Sequence, residues 1–255
     1  MQTFRTAMVT GASSGIGEQI ARVLASRGVG LTLVARRTDR LDALAAELRG
    51  QVAVDVVTAD LVTDAGCELV EHRLADHPID LLVNNAGVGT VGNFHELPRE
   101  PEAHEVRLNV LALLRLTHAA LQTMVAAGRG AVLNVGSLAG DQPLRASATY
   151  AATKSFVTTF TESIAAELQG TGVTVTVVKP GFTYTDINVD MAPDPKSLQG
   201  RMWMQADYVA RCAVDAAEKG QLICVPSAQW KVVNAVVQTM PRVVTRQITK
   251  RMPAI

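Results

Sequence analysis

The chain has 255 residues and no net formal charge, with 48% hydrophobic and 19% charged residues. That balance fills a sizeable core and excludes extended disorder, and a chain with no basic excess lacks the electrostatic footprint of a nucleic-acid binder. Cys67, Cys212 and Cys224 and the five histidines show no ligand or redox-motif spacing, so no metal is expected and the thiols read as free, in a reducing compartment.

Met1–Arg5 carry no long apolar leader and run into a first strand, Phe4 to Thr10. The strand ends in Gly11-Ala12-Ser13-Ser14-Gly15-Ile16-Gly17, and Ile16 to Ser26 reads as an amphipathic helix closed by Gly28. A phosphate-cradling loop needs this order of strand, glycine turn and helix. Glycines let the backbone approach a pyrophosphate, and the helix start offers free N–H groups and a positive dipole end. The G-x-x-x-G-x-G spacing departs from the general dinucleotide fingerprint, and the turn could be structural only. The second strand, Leu31 to Ala35, ends without the acid that binds a ribose 2′-hydroxyl; Arg36 and Arg37 follow. Two guanidiniums suit a 2′-phosphate through forked, charge-assisted hydrogen bonds. At a helix start they are disfavoured unless an anion binds. The cofactor reading is NADP(H) in preference to NAD(H).

A helix (Asp39 to Arg49), a strand (Gln51 to Val57) and Asp60-Leu61 come next, then a helix (Thr63 to Asp76) and a strand (Ile79 to Val83). The latter opens into Asn84-Asn85-Ala86-Gly87, placed to meet a ligand, to tie the turn together, or both. A helix from about Pro101 to Ala127 carries Asn109 inside an apolar run; alone, it reads as a satisfied polar group. Strand Ala131 to Val135 leads to Gly136-Ser137. Val173 to Val178 is almost continuously β-branched, as in a buried parallel strand, and ends at Lys179-Pro180-Gly181. A helix (Ala206 to Lys219) and a short strand (Leu222 to Val225) complete the alternation. The pattern implies an α/β single domain: a doubly wound parallel sheet of about seven strands with helices on both faces. No apolar run reads as long enough to cross a membrane, and a cytoplasmic protein is expected.

Between these strands, Ala148 to Leu168 reads as one long helix carrying Tyr150 and Lys154. Positions four apart share a helix face, so the ammonium stands beside the phenol. A nearby cation favours the phenolate and lowers its pKa from about 10. That makes Tyr150 a candidate proton-exchange group, although the same spacing also occurs on ordinary surface helices.

Taken in register, the Thr10–Gly17 turn, Asn84–Gly87, Ser137, Tyr150, Lys154 and Pro180–Gly181 resemble the short-chain dehydrogenase/reductase family over roughly residues 4–225. The resemblance implies a Rossmann-type fold and a carbonyl/alcohol oxidoreductase. In it Tyr150 is the acid or base, Lys154 lowers its pKa and meets the nicotinamide ribose, Ser137 holds the substrate oxygen, and Asn109 holds a water for proton relay. It also implies cofactor contacts at Gly11, Ser13, Ser14, Gly15, Ile16 and Gly17, at Asn85, Ala86 and Gly87, and at Pro180 and Gly181. Asp60 and Leu61 would flank the adenine, and Thr183 and Thr185 would meet the carboxamide. Thr183 departs from the aliphatic residue usual there. Many NADP-preferring relatives carry a basic residue where Ser14 stands, so Arg36 and Arg37 must carry the charge. A homodimer or homotetramer is implied, with Phe156, Phe160, Ile164 and Glu167 near the seam.

Residues of about 182–205 show no clean period and read as a lid over a small-molecule site. Its Met191, Met202, Trp203 and Met204 suggest a largely apolar substrate, or simply core. The extension of about 226–255 has helical spacing from Trp230 to Val237, a break at Pro241, and Arg242, Arg246, Lys250 and Arg251 among apolar residues. Such a tail could lie on an anionic membrane surface or cover a hydrophobic substrate, or simply pack on the domain or on another subunit. The functional reading is an NADP(H)-dependent oxidoreductase; the alternative is a non-catalytic NADP(H)-sensing protein of the same fold.

Overall fold

The computed structural model describes residues 2–185, 193–194, 197 and 200–251. Strands and helices alternate as β1 (Thr6–Thr10), α1 (Gly15–Ser26), β2 (Gly30–Ala35), α2 (Thr38–Leu48), β3 (Val54–Thr58), α3 (Asp64–Asp76) and β4 (Leu81–Asn84). Then come α4 (Arg99–Val106), a π-helical segment (Arg107–Ala112), α5 (Leu113–Ala127), β5 (Gly130–Val135), α6 (Ala148–Glu167) and β6 (Val173–Val178). The chain continues with β7 (Thr183–Tyr184), β8 (Met204–Gln205), α7 (Ala206–Glu218), β9 (Ile223–Cys224), α8 (Ala228–Thr239) and α9 (Arg242–Arg251).

The central sheet has seven parallel strands in the order β3-β2-β1-β4-β5-β6-β9. Winding reverses between β1 and β4, and the crevice beyond the carboxyl ends of strands at such a switch point is where open α/β sheets bind ligands. Both faces are covered. On one, Ile20, Ala21 and Leu24 of α1 share a core with Val209, Ala210 and Ala213 of α7; on the other, Val70 and Leu74 of α3 pack with Leu116, Ala120 and Met124 of α5. The strands between are apolar on both sides, and β6 (Val-Thr-Val-Thr-Val-Val) is almost wholly buried. Thr63 caps α3 by accepting from the Gly66 N–H at 3.0 Å, and Gly128, at φ +65°, closes α5 with a left-handed residue.

Arg99–Ala127 is continuous and, by length and composition, long and apolar enough to cross a membrane, contrary to the expectation that no run reaches that length. One side of it packs on the domain, with Leu113, Leu116, Thr117, Ala120 and Met124 buried, while Val106, Leu111, Leu114 and Val125 stay exposed. Arg115 ties it to Glu71 of α3 at 2.7 Å.

The stretch expected to lack regular structure is pinned at both ends by a short parallel ladder, β7 with β8; Met191 lies outside the described residues. Met204 is core rather than lid, at 5% exposure. Trp203 stacks on Phe182 at 5.3 Å, and Trp230 of α8 meets Phe182 edge-on at 6.0 Å while its indole N–H donates to the Met202 carbonyl at 3.0 Å. The C-terminal helices pack on the domain, the Thr249 hydroxyl donating to the Pro143 carbonyl at 2.9 Å. The side chains of Arg242, Arg246, Lys250 and Arg251 lie outside those described.

Candidate active site

A cavity of about 730 Å³ lies along the switch point. Sheet order sets its two ends: the loops after β1, β2 and β3 toward one edge, those after β5 and β6 toward the other. Gly11, Ser13, Ser14, Gly15, Ile16, Arg36, Arg37, Asp60 and Leu61 line the first end. Asn85, Ala86 and Gly87 form the middle, and Ser137, Tyr150, Lys154, Pro180, Gly181, Thr183 and Thr185 line the second. Gly17 and Asn109 are not among the lining residues and act from behind it.

The glycine turn is held by the end of β4. Asn85 Nδ2 donates to the carbonyls of Thr10 (2.9 Å) and Gly11 (3.2 Å), and Thr10 Oγ1 accepts from the N–H groups of Asn85 (3.0 Å) and Ala86 (3.1 Å). The motif therefore both lines the cavity and ties the turn. A Cβ on Gly17 would lie 2.2 Å from Asn85 Nδ2 and 2.5 Å from the Gly11 carbonyl oxygen. Gly17→Ala should cost about 1–3 kcal/mol, lowering the melting temperature by about 2–4 °C per kcal/mol in a chain of this size. An unchanged melting curve would show that the turn yields freely.

Arg37 stands at the N-cap of α2 and reaches back across the turn. Its guanidinium donates to Ser13 Oγ at 3.0 and 3.2 Å and to Ser14 Oγ at 2.6 Å. A cation from β2 thus sits over the serines, on the side where a basic residue at position 14 would have placed one. Arg36 extends outward, 62% exposed, 4.0 Å from the Asp60 carboxylate. Across the cavity, a Cβ on Gly15 would come within 3.4 Å of the Thr185 side chain, and Thr183 is buried, its hydroxyl donating to the Gly181 carbonyl at 3.0 Å.

At the second end, Ser137 caps a short 3₁₀ turn, Leu138–Asp141, accepting from the Ala139 N–H at 3.1 Å, and hydrogen-bonds Tyr150. Lys154 Nζ lies 5.7 Å from the Tyr150 ring centroid, on the same helix face, and donates to the Val135 carbonyl at 2.9 Å. The expected pKa direction is reversed. Burial pushes the Tyr150 phenol up, the Ser137 hydrogen bond draws it partly back, and the Glu105 carboxylate adds to the rise. The same burial pushes the Lys154 ammonium down to about 8, against an opposing pull from Glu105. Desolvation of the charged form is the largest cause of both shifts.

Asn109 sits in the π-helical segment, 2% exposed. Such segments interrupt α-helices frequently at functional sites. Its Oδ1 accepts from the Val88 N–H at 3.0 Å, and its Nδ2 donates to the Val88 carbonyl at 2.8 Å and to Thr153 Oγ1 at 3.1 Å. The side chain is first a clamp on the loop after β4.

Two buried charged features were not singled out from the sequence. Lys179, entirely buried at the end of β6, pairs with Asp141 at 2.6 Å and so ties the turn after Ser137 to the Pro180–Gly181 segment. A lysine closing an apolar strand was the available signal. Glu102 and Glu105 are also buried, and their place in a helix with a polar face hid them.

A family model described as short chain dehydrogenase matches residues 5–196. A sulfoacetaldehyde reductase of Chromohalobacter salexigens is 35% identical over 79% of this chain and 83% of its own length. Among solved structures, a short-chain dehydrogenase from Sphingobium yanoikuyae in complex with NADPH is 34% identical with a TM-score of 0.81, covering 97% of this chain and 96% of that one. The bulky-bulky ketone specific alcohol dehydrogenase from Comamonas testosteroni is 30% identical, also with a TM-score of 0.81, covering 99% and 96%. With the switch-point cavity and its tyrosine–lysine wall in place, these likenesses establish that the chain belongs to the short-chain dehydrogenase/reductase family, oxidoreductases that act on a CH–OH group.

Proposed function

We propose that the protein uses NADP(H) to interconvert a carbonyl and a secondary alcohol on a small, largely apolar substrate. The observation that carries this reading is one continuous cavity joining a glycine turn, with Arg37 folded over its serines, to Tyr150, Ser137 and Lys154. The residues present fit a dinucleotide: the glycine turn lines the cavity, α1 starts at that turn, and Arg36 and Arg37 line the same end and could pair with a 2′-phosphate. A bound nicotinamide dinucleotide supplies or accepts the hydride.

The protein's own part is positioning and proton exchange. Ser137 Oγ and the Tyr150 hydroxyl hold the substrate oxygen. A phenol with a raised pKa keeps its proton near neutrality, which suits the donor role in carbonyl reduction. Lys154, with a pKa near 8, shares its proton readily with the groups around it. Asn109 Oδ1 and Lys154 Nζ both border the place of the missing Gly87 Cβ, at 3.1 and 3.5 Å. A water there would link them and serve the relay.

The substrate end is walled by Val91, Leu144, Phe182, Trp230, Val233 and Val237. Apart from Lys154, no described residue lining that end is basic, which favours a ketone with apolar arms over an anionic aldehyde such as sulfoacetaldehyde. Residues of about 182–205, Met204 apart, would serve as a lid within a single domain of residues 1–255. A homodimer or homotetramer that pairs the long helices is the assembly expected of the family; on α6, Phe156 and Phe160 are half-buried, whereas Ile164 is core and not free for a seam. The sensing alternative has nothing in its favour here, since Tyr150 and Lys154 are both present and converge.

A panel of ketones and aldehydes followed by nicotinamide absorbance tests the activity; turnover of none of them, with NADPH bound, would defeat it. Arg36→Asp should reverse the nucleotide order, weakening NADPH by at least roughly tenfold, one charge-assisted contact's worth, while NADH gains. Equal affinities of the native protein for the two nucleotides would remove the premise.

A further inference from the structure

Three side chains of the helix that follows β4 hold the loop of residues 86–91. Asn109 takes both the N–H and the carbonyl of Val88. One turn earlier, Glu105 Oε2 accepts from the Thr90 N–H at 2.9 Å and the Thr90 hydroxyl at 2.8 Å. Glu102 Oε1 lies 2.5 Å from the same Thr90 hydroxyl, whose one proton the two carboxyl groups share, and Glu102 also accepts from the Thr149 hydroxyl, next to Tyr150. Positions 88 and 90 are thereby turned toward the helix. Gly89, between them, comes against the Tyr150 ring, where a Cβ would lie 3.0 Å from Cδ2.

Glu105 is wholly buried, and its second oxygen, Oε1, has no hydrogen-bond partner. A carboxylate on an inner helix face, with half its acceptor capacity unused, is costly unless a positive charge repays it. The charged groups acting on it are Glu102 from its own helix and Lys154 from α6, while Tyr150 feels it in turn. The loop itself, Ala86 to Val91, contributes only amide and hydroxyl groups. We propose that Glu105 is the buried counter-charge to Lys154 and, through Thr90, a positioning residue for the loop that backs Tyr150. This rests on the Tyr150 and Lys154 reading above.

The sign follows from the geometry. Glu105 stands on the stretch packed against α6 through Glu102–Thr149 and Asn109–Thr153, and a negative charge there favours the ammonium form of Lys154 and disfavours the Tyr150 phenolate. Neutralising Glu105 must therefore lower both pKa values. Burial and Glu102 raise the Glu105 pKa and the Thr90 hydrogen bonds lower it, so the carboxylate exerts its full effect on the alkaline side, where Lys154 titrates.

The test is the ¹³C NMR titration of lysine ε-carbons in the full-length protein, with Lys154 assigned by Lys154→Arg. Glu105→Gln keeps the size of the side chain and an acceptor for Thr90, and should move the Lys154 midpoint down by roughly half a pH unit or more. The alkaline limb of the kcat/KM profile for alcohol oxidation should move the same way. If Glu105→Gln does not fold, Glu105→Asp, whose charge is withdrawn by one methylene, should give a smaller shift in the same direction. A Lys154 midpoint unchanged in the folded variant overturns the proposal. Tyr150→Phe run alongside separates the two claims: if it still turns over substrate, the underlying reading fails, whereas an inactive Tyr150→Phe with an unmoved Lys154 midpoint sinks Glu105 alone.

Discussion

Tyr150→Phe should lower kcat for carbonyl reduction by roughly 10²–10⁴-fold, the usual contribution of a positioned acid or base. The affinity for NADPH should change by less than about tenfold, the worth of one hydrogen bond. The substitution is clean because the ring stays in place: Phe keeps the packing against Gly89 and loses only the hydroxyl that Ser137 contacts. Steady-state kinetics with a ketone, beside a nucleotide titration on the same preparation, separate chemistry from binding. A variant that keeps most of its kcat would show that the proton comes from elsewhere in the cavity and would remove Tyr150 from the mechanism. A variant that loses NADPH binding as well would instead show that the tyrosine had been holding the nucleotide.

Much of this site could be read from short-range spacing. The glycine turn was visible because Gly11, Gly15 and Gly17 fall between an apolar run and an amphipathic one. Tyr150 and Lys154 were visible because residues four apart share a helix face. What escaped the sequence depends on contacts distant along the chain. Periodicity from Pro101 to Ala127 showed a helix, but not that six residues, Arg107–Ala112, widen to π geometry around Asn109. The pKa direction at Tyr150 differs from the expectation for the same reason. Spacing supplies the neighbouring charge, whereas burial comes from loops that the spacing cannot locate. Glu102 and Glu105 gain their role from Thr90 and Thr149, which the fold brings against them. Arg37 is the converse case, since its guanidinium spans more than twenty residues of sequence to reach the serines of the turn and supplies what the local sequence there lacks.

Asp141→Asn should destabilise the fold by about 3–5 kcal/mol, the usual cost of removing one partner of a buried ion pair. At about 2–4 °C per kcal/mol in a chain of this size, the melting temperature should fall by roughly 6–20 °C. Lys179 has no exposed surface, and its only hydrogen bond at Nζ among the described residues is to Asp141 Oδ1. An amide in that place leaves an ammonium in the interior without its counter-charge. The double variant Asp141→Leu with Lys179→Met removes both charges and should recover most of the loss, because apolar replacements of a buried pair are often neutral or better. The pair also joins the turn behind Ser137 to the end of β6, where the Leu138 N–H already donates to the Pro180 carbonyl at 3.1 Å. Stability and catalysis should therefore part company in the double variant: the melt returns while kcat stays low, since apolar contact does not fix the turn as a short ion pair does. A double variant as unstable as the single one would mean that volume, not charge, holds this corner. One with full activity would mean that Ser137 needs no support from β6.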